Sequence, residues 1–153
     1  VFTQQGSQDS MDNRWLLIKN SLIIFKENPI IGVGIGNFIN VSGSKFNIWL
    51  PTHNLYTQIL SEIGILGAIA FTLILYQIIK NIKQTNHINN INNNKLIEIT
   101  AKAVLSFLIM RLFLGLFGDD LMENYWWIAG GLSVVLLNLA IKRKSERMKE
   151  ILQ

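Results

Sequence analysis

The chain has no cysteine, only two prolines and two histidines, and little charge. Without cysteine, disulfides, thiolate metal sites and cysteine nucleophiles are all excluded. The histidines, His53 and His87, form no HxxxH or HExxH spacing, so no metal site is expected. Charged residues make up 16% of the 153 positions, whereas a soluble domain carries about 25%. The chain also lacks an initiator Met and a basic segment leading into an apolar run near its start. No signal peptide is expected at this start, and the chain reads as the C-terminal part of a longer protein.

What is present is apolar. Half the residues are hydrophobic, and they are gathered into long runs rather than spread at core spacing. That places the chain in the all-α membrane class. The net charge of +4 does not point to nucleic acid. Lys142, Arg143, Lys144, Arg147 and Lys149 follow an apolar run directly, where positive-inside charge belongs, and no basic face with interleaved aromatics exists.

Residues 1–12 are polar and read as loop. From Asn13 to Glu27 the pattern fits an amphipathic helix, capped by Asp12 or Asn13 and ended by Asn28-Pro29. Its polar residues suit the membrane interface rather than a crossing. Gly32, Gly34 and Gly36 then allow a tight backbone turn with close approach to a neighbour. No Lys-Ser/Thr follows them, so they are not a nucleotide-phosphate loop. Three spans are expected, at about 60–79, 103–118 (interrupted by Arg111) and 125–141. The Asn-rich stretch 80–102 reads as a solvated loop, and Asp119, Asp120 and Glu123 as an acidic turn. Placing loop 80–102 and the basic tail 142–153 in the cytoplasm puts residues 1–59 and the acidic turn outside. Chemistry in residues 1–59 would then run away from ATP and nucleotide-sugars.

His53 is the most informative single residue. It is expected in the first turn of the first spanning helix, where an imidazole titrating near pH 6.5 suits a general base. Helix N-terminal N–H groups there favour a phosphate. Tyr56 and Thr57 would share its face by i+3 and i+4 spacing. Read alone, an interfacial or capping histidine fits equally. Arg14, beside Trp15, offers a planar fork for phosphate, and a headgroup-contacting surface arginine fits as well. Arg111 lies inside a span, where a charge faces a bundle interior or cavity. Glu62 could orient polar groups near His53. His87 stands among solvated neighbours.

The order Arg14-Trp15, then Glu27-Asn28-Pro29 through Gly32-Val33-Gly34-Ile35-Gly36-Asn37-Phe38, then His53-Asn54-Leu55-Tyr56-Thr57-Gln58 through Glu62-Ile63-Gly64 to Gly67 resembles the O-antigen ligase and polymerase superfamily. The likeness is clearest over residues 14–67, and 115–132 resemble the family's last helices more weakly. These are polytopic glycosyltransferases of the bacterial cytoplasmic membrane with a GT-C-like helical bundle. The resemblance implies transfer of a glycan from undecaprenyl diphosphate to an acceptor hydroxyl on a glycan, lipid or protein, without metal or cofactor. It implies diphosphate binding by Arg14 and catalysis by His53 as base, with Tyr56, Glu62 and Arg111 as supporting candidates and a further arginine upstream. Two other readings stay open, a non-catalytic or truncated relative and a piece of a glycolipid flippase.

Overall fold

A computed structural model describes residues 2–92, 94–118 and 121–152. In chain order these form helices α1 (Phe2–Glu27), α2 (Phe38–Phe46) and α3 (Leu55–Gln58), a π-helical turn (Ile59–Ile63), and helices α4 (Gly64–Asn92), α5 (Lys95–Leu114) and α6 (Tyr125–Ile151). No strand occurs among the described residues. The chain divides into two compact units. The first comprises residues up to Phe71 with Phe113–Met122, and the second Thr72–Leu112 with the chain from Glu123 onward.

In the first unit α1 buries Leu17, Asn20, Ser21 and Ile24, an i, i+3, i+4, i+7 stripe that gives the helix one inward face. Leu17 and Ile24 pack on Phe38 of α2, with Val33, Val41, Phe46 and Ile48 closing around them. Burying each such Leu, Ile or Phe contributes about 1.5–3 kcal/mol. Ser21 is satisfied within its own helix, its hydroxyl donating to Leu17 O at 2.8 Å. Asn47 ends α2 in a left-handed conformation, and its N–H donates to Gly43 O at 3.0 Å. A pair between Lys45 and Glu27 joins the end of α2 to the end of α1.

The second unit holds most of α4 together with α5 and α6. Asn81 Nδ2 donates to Ser133 Oγ at 3.1 Å, and Ile78 lies beside Gly130. Residue numbers rise together along this seam, so α4 and α6 run parallel. Phe107 of α5 meets Tyr125 of α6 edge-on at 5.8 Å, while Thr100 and Val104 share a cavity with Ala129 and Leu132. That seam is antiparallel.

Several sequence expectations change. Residues 2–12 are helical, so α1 starts at Phe2 rather than at a cap near Asn13. The expected loop 80–102 is mostly helix, because its asparagines have helical uses. The Asn81 side chain bonds Ser133 Oγ across to α6. Asn89 Nδ2 donates to Asn94 O at 2.9 Å, and Asn94 Oδ1 accepts from Ile97 N at 3.1 Å, capping α5. The basic tail continues α6 to Ile151. The acidic pair Asp119-Asp120 lies outside the described residues.

Among the described residues, two helical stretches are long and apolar enough to cross a membrane, Leu55–Asn90 and Tyr125–Glu150. Less than a third of each apolar window is buried, 22% and 28%. A soluble core helix hides its apolar surface, whereas Leu66, Ile69, Leu73 and Ile128 are exposed here. α5 is also apolar over its second half, but Glu98, Lys102 and Arg111 interrupt it, and it ends at Leu114 rather than 118.

Candidate functional site

The first unit is organised around a break in a helix. After α3 the chain widens into the π-helical turn and then kinks at Gly64, whose φ of 64° and ψ of −163° leave the helical region. A continuous helix would pair Ser61 O with Ile65 N–H and Glu62 O with Leu66 N–H. The break orphans all four groups, and orphaned buried backbone groups need partners. The glycine block supplies every one. Val33 N–H donates to Ser61 O at 2.9 Å and Gly34 N–H to Glu62 O at 2.8 Å. Ile65 N–H donates to Pro29 O at 2.9 Å and Leu66 N–H to Ile30 O at 3.1 Å.

Glycine is required on both sides of this splice. Gly32 has φ +67°, and a Cβ there would lie 2.3 Å from the Glu62 carbonyl carbon. Gly64 has φ +64°, and its Cβ would lie 2.5 Å from Ile30 O. Both positions combine a left-handed backbone with contact to another backbone. Asn28-Pro29-Ile30 and Ser61-Glu62 are thus locked together by their main chains.

Glu62 adds a side-chain link. Its residue is buried, and its carboxyl accepts from Phe38 N–H at 3.3 Å and from Gln58 Nε2 at 3.3 Å. The Phe38 amide opens α2. Asn37 makes no side-chain cap there, so Glu62 serves as the cap from outside the helix. Gln58 Oε1 in turn accepts from Leu121 N–H at 3.3 Å. One network therefore ties the glycine block, the π-helical turn and the segment after α5.

His53 does not sit in the first helical turn, as the sequence led us to expect. Asn54 is the N-cap, with Oδ1 accepting from Tyr56 N–H at 3.1 Å and Thr57 N–H at 3.0 Å. His53 precedes the cap and takes φ +50°. It cannot share a helical face with Tyr56 and Thr57, so that spacing argument is withdrawn. Asn54 instead fixes the position. Its Nδ2 donates to Leu116 O at 3.0 Å, and Leu55 N–H donates to Gly115 O at 2.7 Å. Thr52 Oγ1 closes the turn onto Asn54 O at 3.3 Å. The half-buried imidazole thus stands on a backbone held in a sparsely populated region, where such conformations persist only under surrounding constraint and cluster at functional sites.

The other candidates divide. Glu62 and Tyr56 share the His53 stretch, Glu62 buried and Tyr56 exposed. Arg14 lies on the exposed part of α1, three residues before the buried Leu17. Arg111 belongs to the second unit, where its guanidinium donates to the Tyr125 hydroxyl and lies 4.0 Å from the Tyr125 ring centroid. That contact combines a hydrogen bond with a cation–π pair. Among the described residues no three His, Asp or Glu side chains cluster to hold a metal ion. Asn54 and Gln58 were missed as anchors of the site. The i, i+4 spacing of Gln58 and Glu62 was the available signal, whereas the bonds to Gly115, Leu116 and Leu121 have none in the sequence.

A helical chain with exposed apolar spans, joined to a broken helix spliced by a glycine loop, defines a protein of the membrane class. Residues 1–72 match the family model described as O-antigen ligase. A relative in Rickettsia conorii provisionally named polysaccharide ligase is 28% identical over 140 residues, covering 84% of this chain and 31% of the relative. Relatives in Rickettsia felis and Rickettsia typhi, with the same provisional name, are each 27% identical over the same shares. The chain thus spans about a third of the length of the curated relatives it matches. No solved structure matches it significantly.

Proposed function

We propose that this chain is the acceptor-activating part of a membrane enzyme of polysaccharide assembly, which moves a glycan from a polyprenyl diphosphate, undecaprenyl in bacteria, to an acceptor hydroxyl. The observation that carries this is the splice. The two blocks that resemble the ligase family are joined through four main-chain hydrogen bonds and the Glu62 carboxyl, and the strained His53 stands on the same spliced element.

In this reading His53 takes the proton of the acceptor hydroxyl as its oxygen attacks the anomeric carbon. The bond from that carbon to the diphosphate oxygen breaks, and the diphosphate leaves as an anion. Arg14 meets the charge developing on it, which is where preorganised cations act most strongly. Glu62, Gln58 and Asn54 position the backbone that presents His53. No nucleotide or metal takes part in these steps.

Three crossings by α4, α5 and α6 accompany the proposal. The parallel seam of α4 and α6 and the antiparallel seam of α5 and α6 support it, since alternating crossings require that order. The basic ends of α4 and α6 then face the cytoplasm and residues 1–59 the outside. A flippase reading is less well supported, because the helix break sits at the end of the apolar run and not near its middle.

The test is glycan transfer by the membrane protein that contains this chain. His53→Ala should lower transfer by about 10²–10⁴-fold, the usual contribution of a general base, with insertion into the membrane unchanged. Normal transfer by that variant would overturn the base assignment. Arg14→Ala should also abolish transfer, and Arg14→Lys should restore little of it, since Lys lacks the bidentate fork.

A further inference from the structure

The splice leaves one part of the glycine block standing out of the fold. Pro29, Ile30 and Ile31 are all exposed, Ile30 at 63% and Ile31 at 69%. Two consecutive side chains this open mark a projecting tip, since a packed face would cover at least one of them. Ile65 N–H donates to Pro29 O and Leu66 N–H to Ile30 O, which holds the tip against the first turn of α4. On that turn Ile65 and Leu66 are exposed as well, and Ile69 continues the surface one turn further on. The tip and the start of α4 therefore form one apolar surface within the first unit. No charged residue occurs from Asn28 to Ser44.

We infer that this tip enters the bilayer surface, with the Ile30 and Ile31 side chains among the acyl-chain segments nearest the headgroups, and so sets the depth of the spliced element. The length of α4 carries the inference. From Gly64 to Ile79 sixteen residues carry no charge, and Lys80 follows. They rise about 24 Å, short of a hydrocarbon core of about 30 Å. With Lys80 at one boundary, Gly64 lies inside the other, and a snorkelling Lys80 brings it back only to that boundary. The tip, bonded to the residues after Gly64, shares its level. Its backbone suits the place: Pro29 has no N–H, the Pro29 and Ile30 carbonyls accept from α4, and Gly32 N–H donates to Asn28 O at 3.0 Å. Charge keeps the entry shallow. Lys26 is exposed, and Glu27, paired with Lys45, stands three residues before Ile30, within about 10 Å along the chain. Entry by about 5–10 Å, side chains first, satisfies the isoleucines and leaves these charges at the headgroups. A helix from outside this chain would lie along one side of the tip and leave one isoleucine open, whereas fluid acyl chains surround both. The inference rests on α4 crossing the membrane and not on glycan transfer.

Quenching of a fluorophore at the tip tests this in the membrane protein that contains this chain, held in lipid nanodiscs whose two faces are both open to water. This chain brings no cysteine, so with any cysteines elsewhere in that protein replaced by serine, Ile31→Cys carries a single label. Ile69→Cys on α4 and Asn90→Cys in the polar stretch, both exposed positions, report lipid and water. A nitroxide near the head of the lipid acyl chain should quench the label at 31 as it does at 69. Iodide should quench it at least about threefold less than at 90. Iodide quenching at 31 equal to that at 90 would overturn the proposal, since the tip would then stand in water. Quenching by neither reagent would also overturn it, since protein would then cover the tip. Ile30→Cys, nearly as exposed, should repeat the result, and it gives the reading where circular dichroism shows that the label at 31 unfolds the protein. None of these readouts measures glycan transfer, so each proposal can fail separately.

Discussion

The two units solve different physical problems with the same helical material. Every described residue with a left-handed φ lies in the first unit: Gly32, Gly34, Gly36, Asn47, His53 and Gly64. Its hydrogen bonds run between segments distant in sequence, as from Leu121 to Gln58 and from Leu55 to Gly115. The second unit has no such residue among those described. Contacts between its helices include apolar side chains, the Asn81–Ser133 bond and the Arg111–Tyr125 contact. Irregular backbone is costly and holds particular atoms in place, whereas regular helices satisfy their own backbone and suit a membrane interior. The contrast assigns positioning to the first unit and anchorage to the second.

Glycine replacement should break the contrast most sharply. Gly64→Ala and Gly32→Ala each force a Cβ into another backbone at a left-handed position, and each should cost about 3 kcal/mol or more. Gly131→Ala in α6 meets open space within a helix, so it should be neutral or stabilising by up to about 1 kcal/mol. Thermal unfolding in detergent, followed by tryptophan fluorescence, checks all three. If the alanine variants at 32 and 64 behaved like the one at 131, the splice would not be the element that holds the first unit together.

Next in size is the buried carboxyl. Glu62→Leu leaves Phe38 N–H and the Gln58 amide without their acceptor, which should cost about 2–4 kcal/mol. Glu62→Gln keeps one acceptor oxygen and should cost about half that. Transfer should fall with Glu62→Leu through displacement of His53, so kcat should drop more than KM rises. A pure stability defect would leave the kinetics of the remaining folded protein unchanged.

These effects also show what could be read from sequence. The apolar runs and the tight turn at Gly32 were legible, because hydropathy and glycine each act locally. The helical state of residues 80–102 was not, since asparagine favours loops on propensity alone, and only the contacts of Asn81, Asn89 and Asn94 reverse that. The left-handed His53 was hidden for a related reason. Its conformation follows from Asn54 being held by Leu116, a partner more than sixty positions away. The candidate site was legible as residues and as a family resemblance, but not as an arrangement.

Arg111 sharpens the comparison from the other side. Tyr125→Phe removes the hydroxyl acceptor and keeps the ring under the guanidinium, and it should cost about 1 kcal/mol. Tyr125→Leu removes both and should cost about 2 kcal/mol or more in this apolar setting. If Arg111 serves anchorage, transfer per folded molecule should stay constant across the two variants. A fall in transfer beyond the loss of folded protein would move Arg111 from the scaffold into the site.

The smallest effect concerns the first turns of α5. Glu98 pairs with Lys102 at 2.6 Å, an i, i+4 contact on an exposed surface. The hydrogen bond from Lys102, and after it the Lys102 charge, hold the Glu98 carboxyl below its ordinary value. A folded value below the unfolded one means the contribution is fully present above the unfolded value, near pH 4.3, and fades as pH falls through the folded one. Glu98→Gln should therefore melt slightly below the unaltered chain at pH 6, and the two should converge as pH falls through the folded value. Their order follows from geometry as well as charge. Glu98 lies in the first turn of its helix, where a negative group meets the positive end of the backbone dipole, with its cation one turn further on. A difference that widened on acidification would contradict this sign, and it would mean that the charge on Glu98 opposes the fold.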